Sequence, residues 1–385
     1  MLVLRDPLGL SDQLLALPQP LAPLLGLCDG TRDLVGIHTA LTLRWGIRIC
    51  RPTMDQLMEM LDEACLLDNQ RSAAAMRSAL SAYRDAPNRP PVLAGGGYPA
   101  EANTLKRFLD GFDGRDVSSG CQHPGNAPIL GIVSPHIDYA RGGPVYRAVW
   151  TAATEAARTA DLAIIFGTDH LGDLGAITVT RQSYATPYGL LPTAVDVIDA
   201  VANGLGEEAA FGKELHHRTE HSIELASVWL HHVRQGRSIE IVPVLCGSFA
   251  HFVAGQADPA QDPHIEAAIA ALRQATKGRN LLVVAAADLA HVGPAFGGPP
   301  FDIHARAELR QTDEELLEGL SRGDADGFFA SLRSTGDRNN VCGLPPIYLA
   351  LRLLGNTCGE TIAYDQCPAD EADTSWVSVA GMVWH

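Results

Sequence analysis

Long apolar runs are missing from this chain of 385 residues. No stretch reaches the roughly eighteen apolar residues a membrane-spanning helix needs, so none is expected. Basic charge is scarce: Lys and Arg number 29 against 45 Asp and Glu, a formal net charge of −16. Nucleic acids and anionic membrane surfaces are held by clustered cations, so neither is an expected partner. The acidic surplus reads as a solubility device. Met1-Leu2-Val3-Leu4-Arg5-Asp6-Pro7 lacks a basic stretch leading into a long apolar core, so a secretory signal is not expected. The eight cysteines include no Cys-x-x-Cys pair, which argues against a zinc ribbon, and they are too sparse for a disulfide framework. A reducing cytoplasm is the expected setting. Cys28, Cys50, Cys65 and Cys246 lie among apolar neighbours and are expected to be small core residues. There is no GxSxG elbow, no Walker loop and no GxGxxG opening a helix. Those absences remove the commonest hydrolase, P-loop and dinucleotide-binding readings. Internal repeats and low-complexity tracts are also absent.

What is present falls into two parts. Residues 1–88 read as a small, mostly helical domain. Leu34, Ile37, His38 and Leu41 recur at helical spacing, and a second helix follows Pro52-Thr53, with Thr53 as its expected N-cap. Asp85-Ala86-Pro87-Asn88-Arg89-Pro90-Pro91 is polar and Pro-rich and marks a boundary. Residues 92–385 then alternate between strand-like and helix-like segments, which predicts an α/β fold with a mostly parallel sheet flanked by helices.

Four short segments of this second part carry metal-type side chains. They are Ser134-Pro135-His136, Thr168-Asp169-His170, Asp288-Leu289-Ala290-His291 and Asn340-Val341-Cys342-Gly343. The first three follow apolar runs at 129–133, 162–166 and 281–287. In open α/β sheets, ligands bind in the crevice beyond the carboxyl ends of the strands. Histidines delivered there by separate strands can converge on one point, as a mononuclear metal or acid–base site. Each feature also has a plainer reading. His136 and His170 can be polar turn residues, and Asp288 can cap a turn instead of orienting an imidazole. Cys342 precedes Leu344-Pro345-Pro346, a helix start whose dipole favours a thiolate, but it can equally be a buried thiol. His216-His217-Arg218-Thr219-Glu220-His221-Ser222-Ile223-Glu224 is rich in ligand types, and His221 and Glu224 would share a helix face. It reads as a wall of the site or as a solvated helix start. Asp302-Ile303-His304 and Asp313-Glu314-Glu315 read as solvated surface, and Arg338-Asn339-Asn340 as a source of a cationic or amide group near Cys342.

Taken in order, these segments resemble the Memo family, including the bacterial proteins called AmmeMemoRadiSam system protein B. Tyr98-Pro99, Ser134-Pro135-His136-Ile137-Asp138-Tyr139 with Gly143-Pro144, and Phe166-Gly167-Thr168-Asp169-His170 match its successive motifs. So do Glu220-His221-Ser222-Ile223-Glu224, Val242-Pro243-Val244-Leu245, Asp288-Leu289-Ala290-His291, Cys342-Gly343 and the closing Ser378-Val379-Ala380-Gly381-Met382-Val383-Trp384-His385. Residues 22–70 faintly resemble the winged-helix, PqqD-like peptide-binding domains that accompany radical-SAM enzymes, with a plain helical cap as the alternative. The chain departs from the Memo pattern at Asp169, Leu171 and Ile137-Asp138. Asp138 and Asp169 would add negative charge near a metal.

The family's fold is like that of class III extradiol dioxygenases. The resemblance implies a metal held by His136, His170 and Cys342, with His291 as acid/base, oriented by Asp288, beside it. Cys in place of the dioxygenase carboxylate suits Fe(II) or Cu, with Zn behind them, and not Mg or Ca. Three functions follow. One is a redox or dioxygenase-like enzyme acting on an unidentified small molecule or peptide. Another is a metal-binding accessory protein without turnover, recognising a peptide or partner through residues 1–88 and the metal cleft and working with a radical-SAM enzyme. The last is a metal-free pocket for a small anion or a peptide end.

Overall fold

The computed structural model describes residues 1–112 and 127–385. They form two compact units, Met1–Asp85 and Ala86–His385.

The first unit contains a small sheet that its helical periodicity did not announce: β1 (Leu2–Leu4) pairs antiparallel with β2 (Leu15–Leu17). The helix Leu34–Trp45 is capped by Asp33, whose carboxylate accepts from Gly36 N, and ends at Gly46 in a left-handed turn. The next helix runs Arg51–Glu63, so Thr53 is inside it and Cys50 takes the N-cap position. Pro52 suits that first turn because its missing N–H would be unpaired there anyway. Leu24, Ile37, Leu41, Met54 and Leu61 form the core. Cys50 is exposed, and Cys28 and Cys65 are half-buried; only Cys246 of the four is a core residue.

In the second unit the sheet decides where the functional residues fall. β3 (Gly131–Ser134), β9 (Leu281–Ala286), β4 (Leu162–Thr168) and β8 (Glu240–Cys246) lie side by side, all parallel. Both flanks are antiparallel. β5 (Ile177–Val179) pairs with β8, and β12 (Trp376–Trp384) joins β3. β11 (Gly359–Pro368) and the two-residue β10 (His291–Val292) also pair with β12. A separate hairpin joins β6 (Tyr184–Thr186) to β7 (Gly189–Leu191). All seven residues of β4 are buried, as a strand covered on both faces requires. Alternate residues feed different cores: Ile164 and Phe166 face one cluster with Val242, and Ala163 and Ile165 face the other with Ile241.

Strand ends are level where it matters. Ser134 pairs with Ala286, and Ala286 pairs with Gly167. His136 and Asp288 therefore emerge side by side, each two residues past its strand, and His170 emerges two past β4.

The helix after His136 starts at Tyr139, is capped by Asp138 and carries Pro144 inside it. Two expectations need correction. Arg89, in the stretch read as a linker, is fully buried. Asp313, read as solvated surface, is also buried and accepts a hydrogen bond from Tyr364 OH at 2.8 Å.

Candidate metal centre

His136 and Cys342 meet at this strand edge, with His136 Nε2 3.3 Å from Cys342 Sγ. The ligand atoms of His136, His170 and Cys342 all lie within 4.8 Å of one another. Tetrahedral coordination with ordinary Zn-like bond lengths separates N and S donors by about 3.5 Å, so the His136–Cys342 spacing fits a shared ion. Two glycines permit this convergence. A Cβ on Gly343 would stand 2.3 Å from Asp288 O, and one on Gly167 would stand 2.5 Å from Ser222 Oγ. Gly343 thus lets the Cys342 turn close on β9, where its N–H donates to Asp288 O at 3.0 Å. Gly167 lets the helix Ser222–Val233 begin against β4.

Hydrogen bonds set the tautomers. A carbonyl only accepts, so the 3.0 Å contact of His136 Nδ1 with Ala286 O puts the proton on Nδ1 and leaves the Nε2 lone pair facing Cys342. His170 Nδ1 likewise donates to Glu220 Oε2 at 3.0 Å, and His221 Nδ1 lies 3.1 Å from Glu220 Oε1. Glu220 also accepts from the backbone N–H groups of His170, His221 and Ser222. One buried carboxylate thus holds two imidazoles and caps a helix, with Thr219 playing no capping part. The ring centroids of His136, His170 and His221 lie 5.0 to 5.7 Å apart.

Electrostatics differ among the three candidate ligands. Burial pushes the His136 pKa down to about 4 against the opposing charge of Asp288, so the ring is neutral. Burial also opposes protonation of His170, but the hydrogen bond and charge of Glu220 outweigh it and raise its pKa. Desolvation of Glu220 is overcome by its bonds to His170 and His221, which hold it well below the usual carboxylate range. The Cys342 thiol is pushed up by burial and by Asp288; a bound dication reverses that and stabilises the thiolate.

The other expected residues are partly reassigned. His291 lies at the rim, lining two adjoining cavities of about 760 and 500 Å³ that both reach His170. Its Nδ1 donates to Leu289 O at 3.2 Å. Asp288 does not orient His291 by a hydrogen bond. Its Oδ1 accepts from the backbone N–H of His136 at 2.8 Å and of Ile137 at 3.2 Å, and Oδ2 lies 3.6 Å from His136 Nε2. It therefore positions the His136 turn. Asp138 and Asp169 are spent elsewhere, on Arg141 and on His216 Nδ1 at 2.8 Å. Asn340 lines the larger cavity, and Asn339 O accepts from His291 N.

The histidine-rich segment divides its duties. His217 is buried between Tyr184 OH and Thr178 O, with its pKa pushed down to about 3 by burial. Glu224 points away from His221 into a buried cage of Arg89, Tyr98 OH and the amides of Val92 and Leu93. Arg89 in turn donates to His217 O and Glu220 O at 2.8 and 2.7 Å. Sequence reading placed Glu220 in the histidine-rich segment without giving it a role, and gave Arg89 none beyond the boundary stretch. Their only signal was an acidic residue beside ligand-type histidines, and a charged residue between prolines.

This is an α/β protein with a His/His/Cys grouping in the crevice beyond its parallel strands. The Memo-like protein family model matches residues 89–383, and the chain belongs to that family. A MEMO1 family protein of Aquifex aeolicus is 26% identical over 403 aligned residues, covering 100% of this chain and 96% of the relative. MEMO1 family proteins of Thermus thermophilus and Methanosarcina acetivorans are 25% and 27% identical, covering 86% and 67% of this chain and 93% and 83% of their own lengths. Among the described residues, no helix is long and apolar enough to cross a membrane.

Proposed function

We propose that the chain binds one transition-metal ion through His136, His170 and Cys342 and works as a redox, dioxygenase-like enzyme. The convergence of those three ligand atoms within 4.8 Å, from three separate parts of the chain, carries the reading. Two imidazoles and a thiolate form a donor set for Fe(II), Cu or Zn, unsuited to Mg or Ca. An iron or copper ion there would supply one-electron chemistry and Lewis acidity. The protein's own part is acid–base and positional. His291, whose Nδ1 proton goes to Leu289 O, lines the adjoining cavity and would accept a proton from a substrate there. His221, held by Glu220, is a second imidazole within reach of the same centre. Glu220 and Asp288 fix the ligands so that little reorganisation accompanies binding.

Metal analysis tests this first. Protein purified anaerobically without an affinity-tag metal should carry near-stoichiometric iron or copper, and Cys342→Ser should lose it. Metal in neither protein would refute the site. Oxygen uptake with catechol-type substrates then separates turnover from the second reading, a metal-binding accessory protein paired with a radical-SAM enzyme. That reading is favoured by the separate unit Met1–Asp85, which stands apart from the metal residues in sequence.

A further inference from the structure

A cavity of about 500 Å³ opens on the helical flank of the second unit, away from the strand-end crevice. It is lined by the helices Ala102–Asp110, Tyr139–Ala152, Thr154–Thr159 and Ser222–Val233. His232 of the last helix lies in its wall, eleven residues beyond His221, on the order of 16 Å along the axis. The two sites are therefore distinct.

Its lining reverses the sign of the molecule. Lys106, Arg147 and Arg158 contribute three cations, and Asp110 is the one carboxylate among the described lining residues. His232 is neutral here, because burial lowers its pKa against the pull of Asp110. The lining thus has a net charge of +2, counted as three cations less one anion, in a chain of net −16. Asp110 gathers Lys106 Nζ at 2.6 Å, Arg147 at 3.2 Å and His232 Nε2 at 3.2 Å. Arg158 is held by its Nε, which donates to Val233 O at 2.8 Å. Its terminal nitrogens have no acceptor among the described residues. Trp229, also in the lining, packs its ring edge-to-face against His232.

We infer that this cavity is a second ligand site, for the phosphoryl group of a small organic phosphate. Its volume falls within the ~300–1,000 Å³ usual for small-molecule pockets. Two guanidinium groups, one of them free at its terminal nitrogens, match the fork geometry that recognises phosphate oxygens. A nucleic acid does not fit, because the basic patch is isolated on an acidic molecule that repels a long polyanion. Lys106 and Arg147, now sharing Asp110, turn to the ligand when it enters.

Calorimetric titration of the full chain with inorganic phosphate and with pyrophosphate tests this. It is run at low ionic strength on chelator-treated protein, with acetate and chloride as comparison anions. Saturable one-site binding with a Kd of about 1 mM or tighter is expected for the phosphates and not for acetate or chloride. Arg147→Ala/Arg158→Ala should weaken it at least about tenfold, and Asp110→Asn should tighten it by removing the opposing charge. Should the alanine pair fail to fold, Arg147→Lys/Arg158→Lys decides, with weaker phosphate binding expected because charge is kept and the fork is lost. No saturable binding, equal binding of acetate, or an affinity unchanged by the arginine variants would overturn the assignment.

Discussion

His136 Nε2 and Cys342 Sγ lie 3.3 Å apart although 206 residues separate them in the chain. A buried imidazole in contact with a part-buried thiol is the spacing that the proposed metal ion would need. His136→Ala should therefore abolish stoichiometric metal while leaving the fold intact by circular dichroism. Full metal content in that variant would move the site elsewhere.

Glu220 is expected to matter nearly as much as the ligands. A Gln there presents an NH2 group toward N–H groups that now donate to a carboxylate. Glu220→Gln should weaken metal affinity by about 10–100-fold, the usual effect of losing an outer-shell partner. Competition titration against a chelator of known affinity reads this directly, and an unchanged affinity would remove Glu220 from the centre.

The buried Arg89–Glu224 pair allows a test of position against stability. Arg89→Met alone strands the Glu224 charge and should cost about 3–5 kcal/mol in denaturant unfolding. Arg89→Met/Glu224→Met should regain only part of that, because the stranded charge is gone but Tyr98 OH and the Val92 and Leu93 amides lose their acceptor. Metal affinity should stay reduced in the double variant, because Glu220 O and His217 O have lost their donor.

Asp313 predicts an unusual pH dependence. Burial raises its pKa from 3.8 to about 6. The folded state then holds a proton that the unfolded state has released. Stability from this group is full below about pH 4 and is lost as pH rises through 6, a fall of about 3 kcal/mol. Asp313→Asn should flatten that part of the stability–pH curve and stabilise the protein at neutral pH. A wild-type curve that rises between pH 4 and 7 by the same route would contradict it.

Cys50 should react before Cys246. It is exposed at a helix N-cap, and the Thr53 hydroxyl at 3.1 Å lowers its pKa. Cys246 is buried, and desolvation raises its pKa. Mass spectrometry after brief alkylation should find Cys50 modified and Cys246 protected; the reverse order would be inconsistent with this structure.

Much of the site was legible from position alone. Apolar runs followed by Ser-Pro-His, Thr-Asp-His and Asp-Leu-Ala-His mark strand ends, and a parallel sheet places all its strand ends on one edge. That rule led to His136, His170 and Asp288 without coordinates. Partner choice was not legible. Asp288 was read as the support of His291, three residues away, but its carboxylate serves the amides of His136 and Ile137 on the neighbouring strand. Asp138 and Asp169 looked like charge for a metal, but Asp138 pairs with Arg141 and Asp169 bonds to His216 Nδ1.

The sequence by itself determined the α/β alternation, the family and the residue types that can bind a metal, because strand periodicity and local motifs are short-range properties. Only the tertiary structure decided which oxygen faces which nitrogen. Register across β3, β9 and β4 fixes the three turns at one level, and close approach at Gly167 and Gly343 brings Glu220 and Cys342 to them. Those contacts span 50 to 206 residues, and no local signal along the chain encodes which way a side chain turns when it arrives.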